Sequence, residues 1–264
     1  MEYRKNQYAV TDGVGVITMN WAKNLNAIDM EMVEELLSLL DECEKDPAVK
    51  VVIIASGGKA FSAGGDIGYF YQNIQAGGEI NMDDLIERAG LVSLKIKQMS
   101  KMVITAVNGA AAGAGANLAL SGDFVVAADN VKFIQAFINL GLVPDTGGTY
   151  LLSKMIGPAR AMELCATGRP LGVEEAKSWG LVHQICPKEE LADTAMSLAK
   201  KLAAGPLVAY GALKKQFFEA NYADYASYLA EGEVPTQSVC IASEDFKEGV
   251  CAFIEKRKAN FQGK

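Results

Sequence analysis

Met102-Val103-Ile104-Thr105-Ala106-Val107-Asn108-Gly109-Ala110-Ala111-Ala112-Gly113-Ala114-Gly115-Ala116-Asn117 is the stretch on which the fold turns. Val103 to Val107 is mostly apolar and rich in β-branched side chains, which suits a strand covered on both faces. Glycines at 109, 113 and 115 then mark a tight loop, and the small residues beyond them suit a helix packed closely on that strand. Continued to Gly122, the run is 21 residues without a charge, about the length that spans a bilayer. Alanine and glycine dominate it and Asn108 and Asn117 interrupt it, so it lacks the Leu/Ile/Phe density that favours insertion. The reading is buried strand, tight loop and buried helix, with no membrane partner.

The same order recurs on either side. Tyr8 to Met19 reads as a hairpin turning at Asp12-Gly13, and Val49 to Ser56 as a strand buried on both faces. Between them Asp29 is a candidate N-cap, and Met32, Val33, Leu36, Leu37 and Leu40 recur at helical spacing until Pro47 ends the pattern. A second helix is expected from about Asp84 to Met99. After Leu118 a strand is expected from Asp123 to Ala127. Strands alternating with helices imply an α/β fold with parallel strands and crossover connections. Beyond Leu171 the pattern turns helical, over Val173 to Trp179, Lys188 to Ala203, Pro206 to Ala220 and from Asp224 onward. The chain therefore divides into a core, residues 1–200, and a C-terminal helical region, residues 201–264, that packs on the core or on a neighbouring subunit.

Half of the 264 residues are hydrophobic and 22% are charged, as in an ordinary globular protein and unlike a disordered chain. The 25 Lys and Arg against 32 Asp and Glu leave a net charge of −7, which disfavours nucleic acid as a partner. Five scattered cysteines form no Cys-x-x-Cys pair, so they read as reduced core thiols and no metal is expected. Met1 to Val10 carries charge and no apolar run of the secretory kind, which points to a cytoplasmic location.

Two glycine-rich turns each follow an apolar strand: Ala60-Phe61-Ser62-Ala63-Gly64-Gly65-Asp66, and Asn108 to Asn117. Neither has the Gly-x-Gly-x-x-Gly or Gly-Lys-Ser/Thr spacing of a nucleotide cradle. Taken with Asn24-Leu25-Asn26-Ala27, Pro144-Asp145-Thr146-Gly147-Gly148-Thr149, Ala176-Lys177-Ser178-Trp179-Gly180-Leu181-Val182 and Phe253-Ile254-Glu255-Lys256-Arg257-Lys258, they make six ordered segments. In these the chain resembles the crotonase (enoyl-CoA hydratase/isomerase) superfamily, closest to the aspartate-using, phenylacetate-pathway type of isomerase. The resemblance implies a spiral of ββα turns with a C-terminal helical trimerisation region, trimers or paired trimers, and acyl-CoA thioester substrates. No cofactor is implied, because coenzyme A belongs to the substrate. It also implies an oxyanion hole made by the N–H groups of Gly65 and Ala114, whose fixed donors favour an enolate over the ground-state carbonyl.

Hydratases of this superfamily use two glutamates. This chain has Asn117 and Phe137 at those positions, and neither an amide nor a phenyl ring acts as a general base. Both are expected to shape the site. Asp145 is the one acid between Phe133 and Tyr150, set among Phe137, Ile138, Leu140, Leu142 and Val143, where burial raises basicity. Its competing role is to cap the helix that begins near Gly147. A lone carboxylate suits a 1,3-proton shift, so an enoyl-CoA isomerase is expected. Hydration with non-standard groups is the alternative, and a non-catalytic CoA- or RNA-binding protein is the alternative of another class. Dehalogenation is disfavoured by Phe137 and by Gly90, and the single histidine, His183, reads as structural. The resemblance places Lys23, Ala63, Asp66, Ile67, Phe253 and Lys256 near CoA, with Lys59 as a further cation; Gly68 stands where the family usually has a lysine.

Overall fold

The computed structural model describes residues 3–78 and 80–264. Among the described residues nine strands are formed: β1 Asn6–Thr11, β2 Val14–Met19, β3 Val51–Ser56, β4 Met102–Val107, β5 Ala110–Ala112, β6 Phe124–Ala128, β7 Lys132–Ile134, β8 Pro170–Gly172 and β9 Gln184–Cys186. The larger sheet runs β1-β2-β3-β4-β6-β9 and is antiparallel only across the β1–β2 hairpin. A second sheet, β5-β7-β8, grows from the ends of the first. The hairpin turns where expected, with Asp12 and Gly13 at positive φ.

The helices are α1 Met30–Lys45, α2 Ile67–Gln75, α3 Asp83–Gln98, α4 Ala114–Leu120, α5 Gly148–Ile156, α6 Pro158–Thr167, α7 Val173–Ser178, α8 Leu191–Ala203, α9 Leu207–Asn221, α10 Tyr225–Tyr228, α11 Val234–Ile241 and α12 Glu244–Glu255. Asp29 caps α1 as its sequence predicts, accepting the Met32 N–H at 3.0 Å. Met32, Leu36, Leu39, Leu40 and Cys43 are buried in the same core as Ile17, Val52, Ile54 and Ile104. Full burial of each such aliphatic chain contributes about 1.5–3 kcal/mol. Glu35, buried on α1, accepts from the N–H groups of Arg4, Lys5 and Asn6 and from the Asn6 amide, which ties the start of β1 to this helix.

The uncharged stretch forms strand β4, the short strand β5 and helix α4, all of whose residues are buried. Among the described residues no helix is long and apolar enough to cross a membrane. Past Leu171 strands are few among the described residues: β8, paired with β7, ends at Gly172, and the three-residue β9 extends the larger sheet beside β6. The C-terminal helices return to the core, with α12 against α2 and α11 against α3.

Candidate active site

Both glycine turns leave the C-terminal ends of parallel strands, the usual place for a site in an α/β sheet. Asn26 sets the first of them. Fully buried, it accepts the Trp21 N–H at 2.8 Å and gives its amide to the carbonyls of Gly57, Ala60 and Phe61 at 3.0–3.3 Å. Ser62 donates to the Asn26 carbonyl at 2.7 Å and accepts the Gly64 N–H at 3.2 Å. The Asn24-to-Ala27 segment is thus the clamp of this turn. Gly64 sits at φ +84°, and a Cβ there would lie 2.7 Å from the Ala112 carbonyl oxygen, so only glycine lets the two turns touch. Among the described residues the N–H groups of Gly65 and Ala114 have no acceptor, and both residues line one cavity of about 390 Å³.

That cavity is apolar. Ile28, Phe70, Met82, Leu85, Ile86 and Ala89 form part of its wall, with Phe137, Leu140 and Leu142 elsewhere on it. Among the described residues Asp145 is its one ionisable lining residue, and it is only 8% exposed. Loss of water pushes its carboxyl up to about 6, against the opposing pull of two donors. Those donors are Thr146 Oγ1, 2.9 Å from Oδ1, and Gln237 Nε2, 3.3 Å from Oδ2. Asp145 does not cap α5: the cap residue is Gly147, whose own N–H is taken by Glu233 and not by Asp145. The carboxyl is therefore free to face the cavity.

The other expected residues divide. Phe137 lines the cavity, but Asn117 does not: it is buried behind the site, donating to the Asp145 carbonyl at 2.7 Å and accepting from Gln135 Nε2 at 2.8 Å. Its position on α4 turns it towards the backbone of the Asp145 loop, so it orients that loop and forms no part of the wall. Of the residues expected near CoA, Ala63, Ile67 and Phe253 line the cavity. Asp66 instead caps α2 through the Tyr69 N–H at 3.1 Å and accepts from Asn24. Lys23 lies 3.8 Å from the Trp21 ring centroid. Lys256 is exposed at the left-handed end of α12. Gly90 faces Leu229, and His183 packs edge-on against Phe124, both away from the cavity. Among the described residues no three His, Cys, Asp or Glu side chains are grouped to hold a metal.

Residues 9–264 match the family model described as enoyl-CoA hydratase/isomerase. The chain belongs to the enoyl-CoA hydratase/isomerase family. It is 35% identical to the trans-2-decenoyl-acyl-carrier-protein isomerase of Streptococcus mutans, with all of both chains covered. To the 1,2-epoxyphenylacetyl-CoA isomerase of Escherichia coli it is 38% identical over 97% of each chain. A crystal structure of an enoyl-CoA hydratase from Mycobacterium avium subsp. paratuberculosis superposes with a TM-score of 0.89 at 30% identity, covering 99% of this chain and 100% of that one.

In this family member two groups beside Asp145 escaped the sequence reading. Gln237 and Glu233 come from the last third of the chain, and Glu233 accepts the Gly147 N–H at 2.9 and 3.1 Å from its two oxygens. A glutamate and a glutamine four residues apart, in a run that the sequence marks only as helical, give no local hint of what they meet. The cavity wall from Met82 to Ala89 was likewise hidden in a helix that reads as ordinary core.

Proposed function

We propose that this family member is an enoyl-CoA isomerase in which Asp145 moves one proton. The thioester oxygen binds the free N–H groups of Gly65 and Ala114, which stabilise the enolate more than the carbonyl. Asp145, as carboxylate, removes a proton from the α carbon of a 3-enoyl thioester. The electron pair spreads into a dienolate, and the protonated carboxyl returns its proton to the γ carbon, leaving a 2-enoyl thioester. The observation that carries this reading is that, among the described residues, Asp145 is the one carboxyl on a largely apolar cavity wall. Asp145 is ionised at neutral pH yet more basic than an exposed aspartate, as a carbon acid's base must be. Water addition would call for a second acid–base group at the cavity wall, and among the described residues none lines it.

The test is incubation with a 3-enoyl-CoA in deuterated water, followed by mass spectrometry. Double-bond migration without water gain is expected, with Asp145→Asn lowering turnover about 10²–10⁴-fold. Full turnover in the variant would refute the assignment, and net formation of a 3-hydroxyacyl-CoA would favour hydration. Assembly into a trimer or a pair of trimers is part of the same proposal. It is supported by apolar side chains left uncovered on α9, where Val208 is 90% and Phe217 60% exposed. Light scattering that returns a monomer mass would overturn it.

A further inference from the structure

The helical run from Tyr225 to Ile241 is not regular. Between α10 and α11, residues Leu229–Glu233 form a π-turn, and Pro235 follows within the first turn of α11. Proline donates no N–H to the carbonyl four residues back, so the run must widen or bend here. Such widened turns are often found at functional sites. This one ends on Glu233, 1% exposed, and four residues later the same helical face carries Gln237, fully buried.

Both side chains are committed to the Asp145 loop. The Gln237 amide cannot be turned round, because its oxygen accepts the Val143 N–H at 3.0 Å. Its NH₂ group is therefore the one aimed at Asp145 Oδ2. Glu233 takes the Gly147 N–H on the other side of Asp145. Gly147, at φ +76°, has Tyr225 so close that an added Cβ would meet its hydroxyl at 1.6 Å, which locks loop and helix together. The Tyr225 hydroxyl is in turn bonded to Ser93 of α3 at 2.6 Å.

We propose that Glu233 and Gln237 are positioning residues for Asp145: Gln237 orients its carboxyl, and Glu233 holds its loop through the Gly147 N–H. This rests on the reading of Asp145 as the acid–base group. The charge balance supports it. Burial and the neighbouring Asp145 push the Glu233 carboxyl up to about 8, while its bonds to the loop N–H groups pull the other way. The remaining groups facing Glu233 are the phenols of Tyr225 and Tyr228, both themselves raised by burial. Among the described residues no lysine or arginine is paired with it. Two carboxyls in one apolar setting then ionise in sequence, Asp145 first and Glu233 only above neutrality.

The test combines infrared spectroscopy with pH–rate profiles on the full chain. At pH 7 wild type should show a protonated-carboxyl band that Glu233→Gln removes. In Asp145→Asn, where the neighbouring charge is gone, that band should titrate at lower pH than in wild type. The rate should fall above about pH 8 in wild type and not in Glu233→Gln, which keeps an acceptor for Gly147. Gln237→Met, which keeps the shape and loses the donor, should move the acid limb of the profile to higher pH. A band that survives Glu233→Gln, or one whose titration is unmoved by Asp145→Asn, would overturn the proposal. An active Asp145→Asn with a shifted band would instead leave the coupling standing and remove Asp145 from the chemistry.

Discussion

Replacing Asp145 by Asn should make the protein more stable while disabling it. Burial moves this carboxyl from 3.8 to about 6. At about 1.4 kcal/mol per pH unit, holding it ionised in the folded state costs about 3 kcal/mol above pH 6. The sign follows from proton uptake. Between 3.8 and 6 the folded chain holds more protons than the unfolded one, so stability falls as pH rises through that window. Below 3.8 the cost vanishes, and above 6 it is complete. Asn removes the charge and keeps the shape. Its oxygen can accept from Gln237, and the Thr146 hydroxyl can turn to accept from its NH₂, so few hydrogen bonds are lost. The gain should be about 3 kcal/mol at pH 7.5 and about half a kcal/mol at pH 4.0. At pH 7.5 that corresponds to a melting temperature about 6–12 °C higher. Urea unfolding of both proteins at the two pH values, at one protein concentration, measures it. An Asn variant no more stable than wild type at pH 7.5, or one whose advantage is undiminished at pH 4.0, would refute the reasoning.

The isomerase kcat/KM should fall tenfold per pH unit below about pH 6, because the free enzyme's Asp145 must be ionised; a flat profile down to pH 5 would remove it as the base. Gly64→Ala should separate the two turns, since the new Cβ would meet the Ala112 carbonyl, and steady-state kinetics should show kcat lowered about 10²-fold with the far-ultraviolet spectrum unchanged. Glu35→Ala strands the N–H groups of Arg4, Lys5 and Asn6 and should cost about 3 kcal/mol in urea unfolding with activity per folded molecule intact. Ala89→Phe fills part of the cavity wall, so KM should rise more for long acyl chains than for short ones in a chain-length series.

How far the sequence reaches depends on the range of the contact concerned. Val49 to Ser56 and Val103 to Val107 read as buried strands because most side chains in them are apolar, and the strands they form, β3 and β4, lie at the centre of the sheet. Asp29 reads as a cap because its partner, the Met32 N–H, is three residues away. β8 and β9 escape notice because three residues show no periodicity, and their strand character comes only from pairing with β7 and β6. Asn117 was legible as a departure from the glutamate pattern, but not as the residue that grips the Asp145 carbonyl, which depends on the rotation of α4.

Asp145 itself was legible as the only acid between Phe133 and Tyr150, yet what governs it was not. Gln237 is 92 residues away in sequence, and Glu233 meets Gly147 across 86. A buried carboxylate in an apolar wall cannot be balanced by a nearby cation without losing the basicity that carbon-acid chemistry requires. Neutral donors are the remaining means of holding it, and here they come from Thr146 next to it and from a distant helix. A lysine in place of Gln237 would pull the carboxyl back towards ordinary acidity and recover stability, at the expense of the proton affinity on which the proposed shift depends.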